Sequence, residues 1–309
     1  MNTRVRITDV APRDGLQAET TIVPTDRKAE LVRTLNATGV DEIEVSSFVS
    51  PKWIPQLGDA AELFTLLAKQ KPGGMVYSAL VPNERGLEAA LETNASARRE
   101  HGVERLIDKV SVFTAASEGF SLKNTNATIE QTLTRFAPVI SRAHQQGLMV
   151  RGYISCVVSC PFDGAISPVQ VGDVASRLLE LGVDELDLGD TIGAATPETI
   201  EPVIMEAIDR LEGDATNPFG DPTLTLHLHD TFGRAADCVR MALDLGVRSF
   251  DGAAGGLGGC PYSSTETTRA PGNISTTTLL DTIRDAGFST GVDPEAMRTA
   301  SHLATGILS

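Results

Sequence analysis

Residues 185–252 read ELDLGDTIGAATPETIEPVIMEAIDRLEGDATNPFGDPTLTLHLHDTFGRAADCVRMALDLGVRSFDG. Three short apolar runs stand out, at 185–189, 224–229 and 247–252, and longer amphipathic stretches near 197–212 and 233–245 separate them. The runs have strand length, and the stretches carry the helical period. Strands joined through a helix pair in parallel, because a crossover must carry the chain back before the next strand starts.

The same alternation continues outward. Strands are expected near 4–10, 42–47, 75–81, 107–113 and 149–155, with helices near 25–38, 57–70, 84–98, 128–146, 168–181 and 276–286. Glycine follows several helices, as in Ala37-Thr38-Gly39 and Leu245-Gly246, where a left-handed residue closes the last turn. Eight βα units without an intervening linker predict an α/β chain folded as one (β/α)8 TIM barrel. The barrel is expected over about 3–290, with extended βα loops and an additional C-terminal helix at about 293–308. Residues 1–309 then form a single catalytic domain, and a doubly wound sheet is the alternative. The segment 92–109, between the third and fourth units, looks expanded.

Composition narrows the function. With 41% hydrophobic and 22% charged residues, the 309-residue chain can bury a large core without staples. A formal net charge of −15 argues against a general binder of nucleic acid or anionic membranes. No apolar run approaches the ~18 residues that span a bilayer. The start, MNTRVRITDV, enters a strand pattern at once and leaves no room for a signal peptide. Cysteines at 156, 160, 238 and 260 form no C-x-x-C pair, so a reducing, cytoplasmic location is expected.

In such barrels the chemistry gathers where strands run into the following loops. After the first strand come Arg13, Asp14 and Gln17, a cation for an oxyanion beside a carboxylate for a metal; a surface turn punctuated by Pro12 and Gly15 is the plainer reading. His227 and His229 lie two apart on one strand and share a face. They read as metal ligands or as a pair of core histidines. Cys260 sits in a run of glycines, Gly255 to Gly259 around Leu257, as an acid or base on a yielding loop. An incidental thiol or a phosphate-binding glycine loop fits that stretch too. Glu44 is expected to point into the barrel and Asp190 to stand at its mouth, either for chemistry or to pair with Arg13 and cap a helix. Cys156 and Cys160 read as small buried hydrophobes.

Six segments together, DVAPRDGLQ, EVSSFVSPKWIPQL, RGYISCVVSCPFDG, LGDTIG, HLHDTFG and GGLGGCPY, resemble the hydroxymethylglutaryl-CoA lyases, in the same order and over nearly the whole chain. The resemblance implies a carbon–carbon lyase that splits 3-hydroxy-3-methylglutaryl-CoA into acetyl-CoA and acetoacetate, in the context of leucine degradation and ketone bodies. It implies metal ligation by Asp14, His227, His229 and Asn273, with Mg2+ or Mn2+ as the ion. It gives catalytic parts to Arg13, Cys260, Asp190 and Glu44, and substrate contacts to Arg13, Gln17 and Asp190. The partner is an acyl-CoA substrate, with neither nucleic acid nor membrane, and a homodimer is admitted but not required.

The sequence departs from the family pattern at PYSSTETTRAPGN, where residues 261–272 make a longer loop, and at Thr277, which replaces an acidic residue. The stretch from Cys260 to Asn273 is expected to be a mobile lid that also selects the substrate, an exposed insertion without ligand contact being the alternative. Lys52, Lys123 and Arg269 lie at loop positions where the resemblance leads one to look for cations facing coenzyme A phosphates, without singling out which of them does so. The same chemistry on another 3-hydroxy-3-alkyl acyl-CoA, an aldolase of 4-hydroxy-2-oxo acids and a non-enzymatic binding protein are the alternatives.

Overall fold

A computed structural model describes residues 3–211, 223–258 and 272–308. The strands, in chain order, are β1 (Arg6–Asp9), β2 (Glu42–Ser47), β3 (Val76–Leu80), β4 (Lys109–Ala115), β5 (Met149–Ser155), β6 (Ser159–Cys160), β7 (Gly164–Ala165), β8 (Glu185–Asp190), β9 (Leu224–Leu228) and β10 (Ser249–Gly252). All but β6 and β7 pair in parallel and close as β1-β10-β9-β8-β5-β4-β3-β2. The TIM barrel expected from the alternating pattern is present.

The helices are α1 (Thr25–Asn36), α2 (Ala60–Leu67), α3 (Glu84–His101), α4 (Glu118–Thr125), α5 (Ile129–Gln145), α6 (Pro168–Glu180), α7 (Pro197–Arg210), α8 (Ala235–Asp244), α9 (Thr276–Asp285) and α10 (Pro294–Gly306). Their starts are written locally. Thr128 with Gln131 and Ser167 with Gln170 form reciprocal capping boxes that satisfy the first amides of α5 and α6. The C-terminal helix α10 begins at the Asp293 cap and packs on α1, α9 and the Ala254–Gly256 turn after β10. None of the described helices is long and apolar enough to cross a membrane.

Strand alternation sorts the interior into two zones. In β2, Ile43 and Val45 join the continuous apolar cluster, whereas Glu42 and Glu44 reach Lys109 and Arg13. Burial on both faces is the rule for parallel barrel strands. What is unusual is the ionic filling: Arg151, on β5, is 1% exposed and bridges to Glu185, Asp187 and Asp251.

The structure corrects several local expectations. β4 starts at Lys109 because Asn94 of α3 accepts from the Leu106 and Ile107 amides, which keeps those residues out of the ladder. Helix α4 was not anticipated; Ser117 caps it and Asn126, left-handed at φ 51°, ends it. The β6–β7 hairpin was missed as well. Residues 11–15 are a single π-helical turn and not a surface turn, with all but Asp14 buried.

Candidate active site

The π-helical turn directly after β1 sets out the first residues. Its wide winding brings Arg13 and Asp14 over the barrel mouth, and Gly15 lets the turn press against Leu257, whose Cβ lies 2.8 Å from where a Cβ at residue 15 would sit. Arg13 donates from Nη1 to Asp14 Oδ1 at 2.7 Å and from Nε to Glu44 Oε2 at 2.5 Å. Gln17 donates to Asp14 Oδ1 at 2.9 Å. Tyr153 lies beneath, its hydroxyl 3.3 Å from Glu44 Oε2 and its ring facing the Arg13 guanidinium at 5.5 Å.

The opposite wall comes from β9. His227 and His229 project inward together, as their spacing required, with their Nε2 atoms 3.3 Å apart. His227 Nε2 is 3.9 Å from Asp14 Oδ2. The segment that carries Asn273 is stitched to the end of β9: the Ile274 amide donates to Leu228 O and the Asp230 amide to Gly272 O. Asn273 Nδ2 thereby reaches Asp14 Oδ2 at 2.9 Å. Residues separated by more than 250 positions thus converge on one carboxylate.

Electrostatics separates these groups. Burial would raise the Asp14 pKa, but the charges of Arg13, His227 and His229 outweigh it and hold the carboxyl well below its usual range. Burial raises that of Glu44, with Arg13 opposing. His229 falls to about 4, through burial and the neighbouring His227. His227 shifts upward despite burial, because Asp251 accepts from it and Asp14 lies close.

Asp14, His227 and His229 offer three ligand atoms within 4.8 Å of one another. The 3.3 Å between the imidazole nitrogens is close to the ~3 Å edge of an octahedron with ~2.1 Å bonds. His229 keeps a neutral ring over the physiological range, as a ligand must. Turning the Asn273 amide over would present its oxygen to the same space. The residues fit a divalent cation that accepts mixed nitrogen and oxygen donors.

The remaining expected residues are placed less tightly. Asp190 ends β8 with both carboxylate oxygens taken by the Ala194 and Ala195 amides, and burial pushes its pKa up to about 6. Cys156 and Cys160 are buried, as expected. Lys52 and Lys123 are exposed on the loop after β2 and on α4. Thr277 turns its hydroxyl to Ser275 at the start of α9. Cys260, Arg269 and most of the expected lid lie outside the described residues. Sequence reading missed Tyr153, Arg151 and Asp251; the available signal was a polar residue at alternate positions of otherwise apolar strands.

With this geometry in place, comparison with known proteins is decisive: residues 4–304 match the family described as HMGL-like. The chain belongs to that family. A Pseudomonas aeruginosa relative named 3-hydroxy-3-isohexenylglutaryl-CoA/hydroxy-methylglutaryl-CoA lyase is 41% identical over 310 residues, covering 99% of this chain and 93% of its own. The crystal structure of the HMG-CoA lyase from Brucella melitensis is 40% identical, covers 98% of both chains and superposes with a TM-score of 0.87. An HMG-CoA lyase from A. baumannii, solved with coenzyme A and 3-methylmalate, is 33% identical over 99% of this chain and 91% of its own, with a TM-score of 0.84. At 18% identity and a TM-score of 0.66, the likeness of this chain to the carboxyl transferase domain of Rhizobium etli pyruvate carboxylase shows the barrel fold alone.

Proposed function

We propose that this lyase cleaves 3-hydroxy-3-methylglutaryl-CoA to acetyl-CoA and acetoacetate. One observation carries the reading: Arg13 and Asp14, adjacent on the π-helical turn, meet His227, His229 and Asn273 at a single barrel mouth. In this reading Asp14, His227, His229 and Asn273 hold Mg2+ or Mn2+. When bound, such an ion lowers the pKa of a substrate hydroxyl and fixes its direction.

The chain's own groups then divide the work. Transfer of the hydroxyl proton to solvent lets the adjacent carbon–carbon bond break, its electron pair moving toward the thioester as the 3-oxo acid carbonyl forms. Arg13 meets the charge that develops on the thioester oxygen. Glu44 and Asp14 engage its Nε and Nη1, so the fork is fixed while Nη2 remains to donate. Tyr153 shares Glu44 and supports the guanidinium face. Gln17 steadies Asp14 and reaches toward substrate, and Asp190 borders the same mouth. Cys260 supplies the proton to the enolate carbon, which makes acetyl-CoA a leaving product. The barrel and α10 act as one catalytic unit, in the cytoplasm.

A second reading keeps the chemistry and changes the substrate to a bulkier 3-hydroxy-3-alkyl acyl-CoA. The name of the P. aeruginosa relative and the longer 261–272 segment favour it. The test is release of acetyl-CoA from each thioester, with and without Mn2+, by the wild type and His229→Ala. Metal-dependent release from hydroxymethylglutaryl-CoA, lost together with Mn2+ affinity in the variant, is expected. No release with Mn2+ present, or unchanged Mn2+ affinity in His229→Ala, rejects the assignment.

A further inference from the structure

Asp251 stands directly across from His227 in the β9–β10 register, so the two side chains enter the barrel at one level. Its Oδ2 lies 3.1 Å from His227 Nδ1, and Arg151 Nη1 donates to its Oδ1 at 3.1 Å. All three side chains are buried. Asp187, His227 and Asp251 also meet the spacing of a metal cluster. Arg151 decides against a second cation there, because its Nη1 lies 3.3 Å from Asp187 Oδ2 and 3.1 Å from Asp251 Oδ1. A positive charge already stands between the carboxylates.

A carboxylate only accepts hydrogen bonds, so in this contact His227 Nδ1 carries the proton. The neutral ring then keeps its lone pair on Nε2. That is the atom lying 3.3 Å from His229 Nε2 and 3.9 Å from Asp14 Oδ2. His229 has no comparable anchor, since its buried Nδ1 finds no hydrogen-bond partner among the described residues.

We propose that Asp251, held by Arg151, is a positioning residue that fixes the tautomer and ring direction of His227. The inference rests on the metal reading above and deepens it. His227 is the preset ligand, offering its lone pair before the ion arrives, and His229 is the one that adjusts. Ligand histidines whose second nitrogen is held by a carboxylate are better oriented and more basic donors.

Asp251→Asn tests this at nearly constant volume. Arg151 holds the new amide oxygen, which leaves the amide nitrogen facing His227 Nδ1. That nitrogen must then accept, and the proton moves to Nε2, where it blocks ligation. Spectra of 15N-histidine-labelled protein, chelated and held at pH 8, report the tautomer without metal or turnover. The wild type is expected to carry the His227 proton on Nδ1, and Asp251→Asn to carry it on Nε2. Mn2+ affinity, followed by the resonance of the free ion, is expected to fall roughly 10- to 100-fold in the variant. A wild-type His227 protonated on Nε2, or an Asp251→Asn protein that binds Mn2+ like the wild type, overturns the proposal. If Asp251→Asn does not fold, the wild-type spectrum alone still decides the tautomer. Wild-type protein that binds no Mn2+ would sink the metal reading instead, and the tautomer spectrum distinguishes that failure from this one.

Discussion

Arg13 is the residue whose chemistry depends most on shape. Its Nε and Nη1 are engaged with two different carboxylates, Glu44 and Asp14, in a pocket where the side chain is 7% exposed. Lysine has one charged nitrogen on a flexible stem, so Arg13→Lys keeps the charge but cannot brace against both acids and still present a further donor. Turnover is expected to fall roughly 10²-fold, the scale of a lost oxyanion donor. Steady-state kinetics check it, and a variant that only raises KM would contradict a role confined to the transition state. The shared face of His227 and His229 was legible in the sequence, because a two-residue period on a strand fixes it. Arg13 and Asp14 were marked only by their place after the first strand, where a surface turn read equally well. Asp251 and Arg151 were not legible. A single charge in a short strand reads equally well as an edge or a surface position, and only closure of the barrel brings β5 and β10 face to face.

Two elements press together to make the site: the π-helical turn at 11–15 and the chain around Gly258 and Asn273. Gly258 is the contact point, with φ +101° and a would-be Cβ 2.5 Å from Asn273 Nδ2 and 3.4 Å from the Asp14 carbonyl oxygen. Alanine there meets a strained backbone and a collision at once. Gly258→Ala is therefore expected to cost about 1–3 kcal/mol of stability. It should also push Asn273 off Asp14, so that Mn2+ affinity drops along with the melting temperature. Calorimetric melting and Mn2+ titration measure the two effects; an unchanged affinity would show that Asn273 can retreat without disturbing the ligand set. Element existence was well marked in the sequence, since βα alternation and capping residues are local signals. The exceptions have local causes too. Helix α4 spans only Glu118–Thr125, and the late start of β4 depends on Asn94, a tertiary partner that no period reveals.

For the whole molecule, the barrel interior is an ion-filled column and not the layered apolar plug usual in this fold. Lys109 joins Glu42 and Glu185 at 2.6 Å each, and Arg151 continues the chain of pairs through Glu185, Asp187 and Asp251 up to His227. Carboxylates outnumber cations along this column. Burial and the Asp251 charge hold the Asp187 pKa well above its ordinary value, with Arg151 pulling the other way. Glu185 is held down at about 2, because Arg151 and Lys109 outweigh its burial. Removing Arg151 reverses that balance and leaves buried carboxylates without their main partner. Arg151→Met keeps much of the volume, and breaking such a network is expected to cost about 3–5 kcal/mol at neutral pH. The sign with pH follows from proton uptake. Without Arg151 the folded-state pKa values of Glu185 and Asp251 rise and that of Asp187, already above its ordinary value, rises further, so the folded state binds more protons than it does in the wild type. The destabilisation is then complete at pH 8 and shrinks as pH falls toward the ordinary carboxylate range near ~4. Melting temperatures of wild type and Arg151→Met across that range provide the measurement, and the gap between them should narrow on acidification. A gap that stays constant or widens would mean that the column is held by packing, with the charge of Arg151 incidental to it.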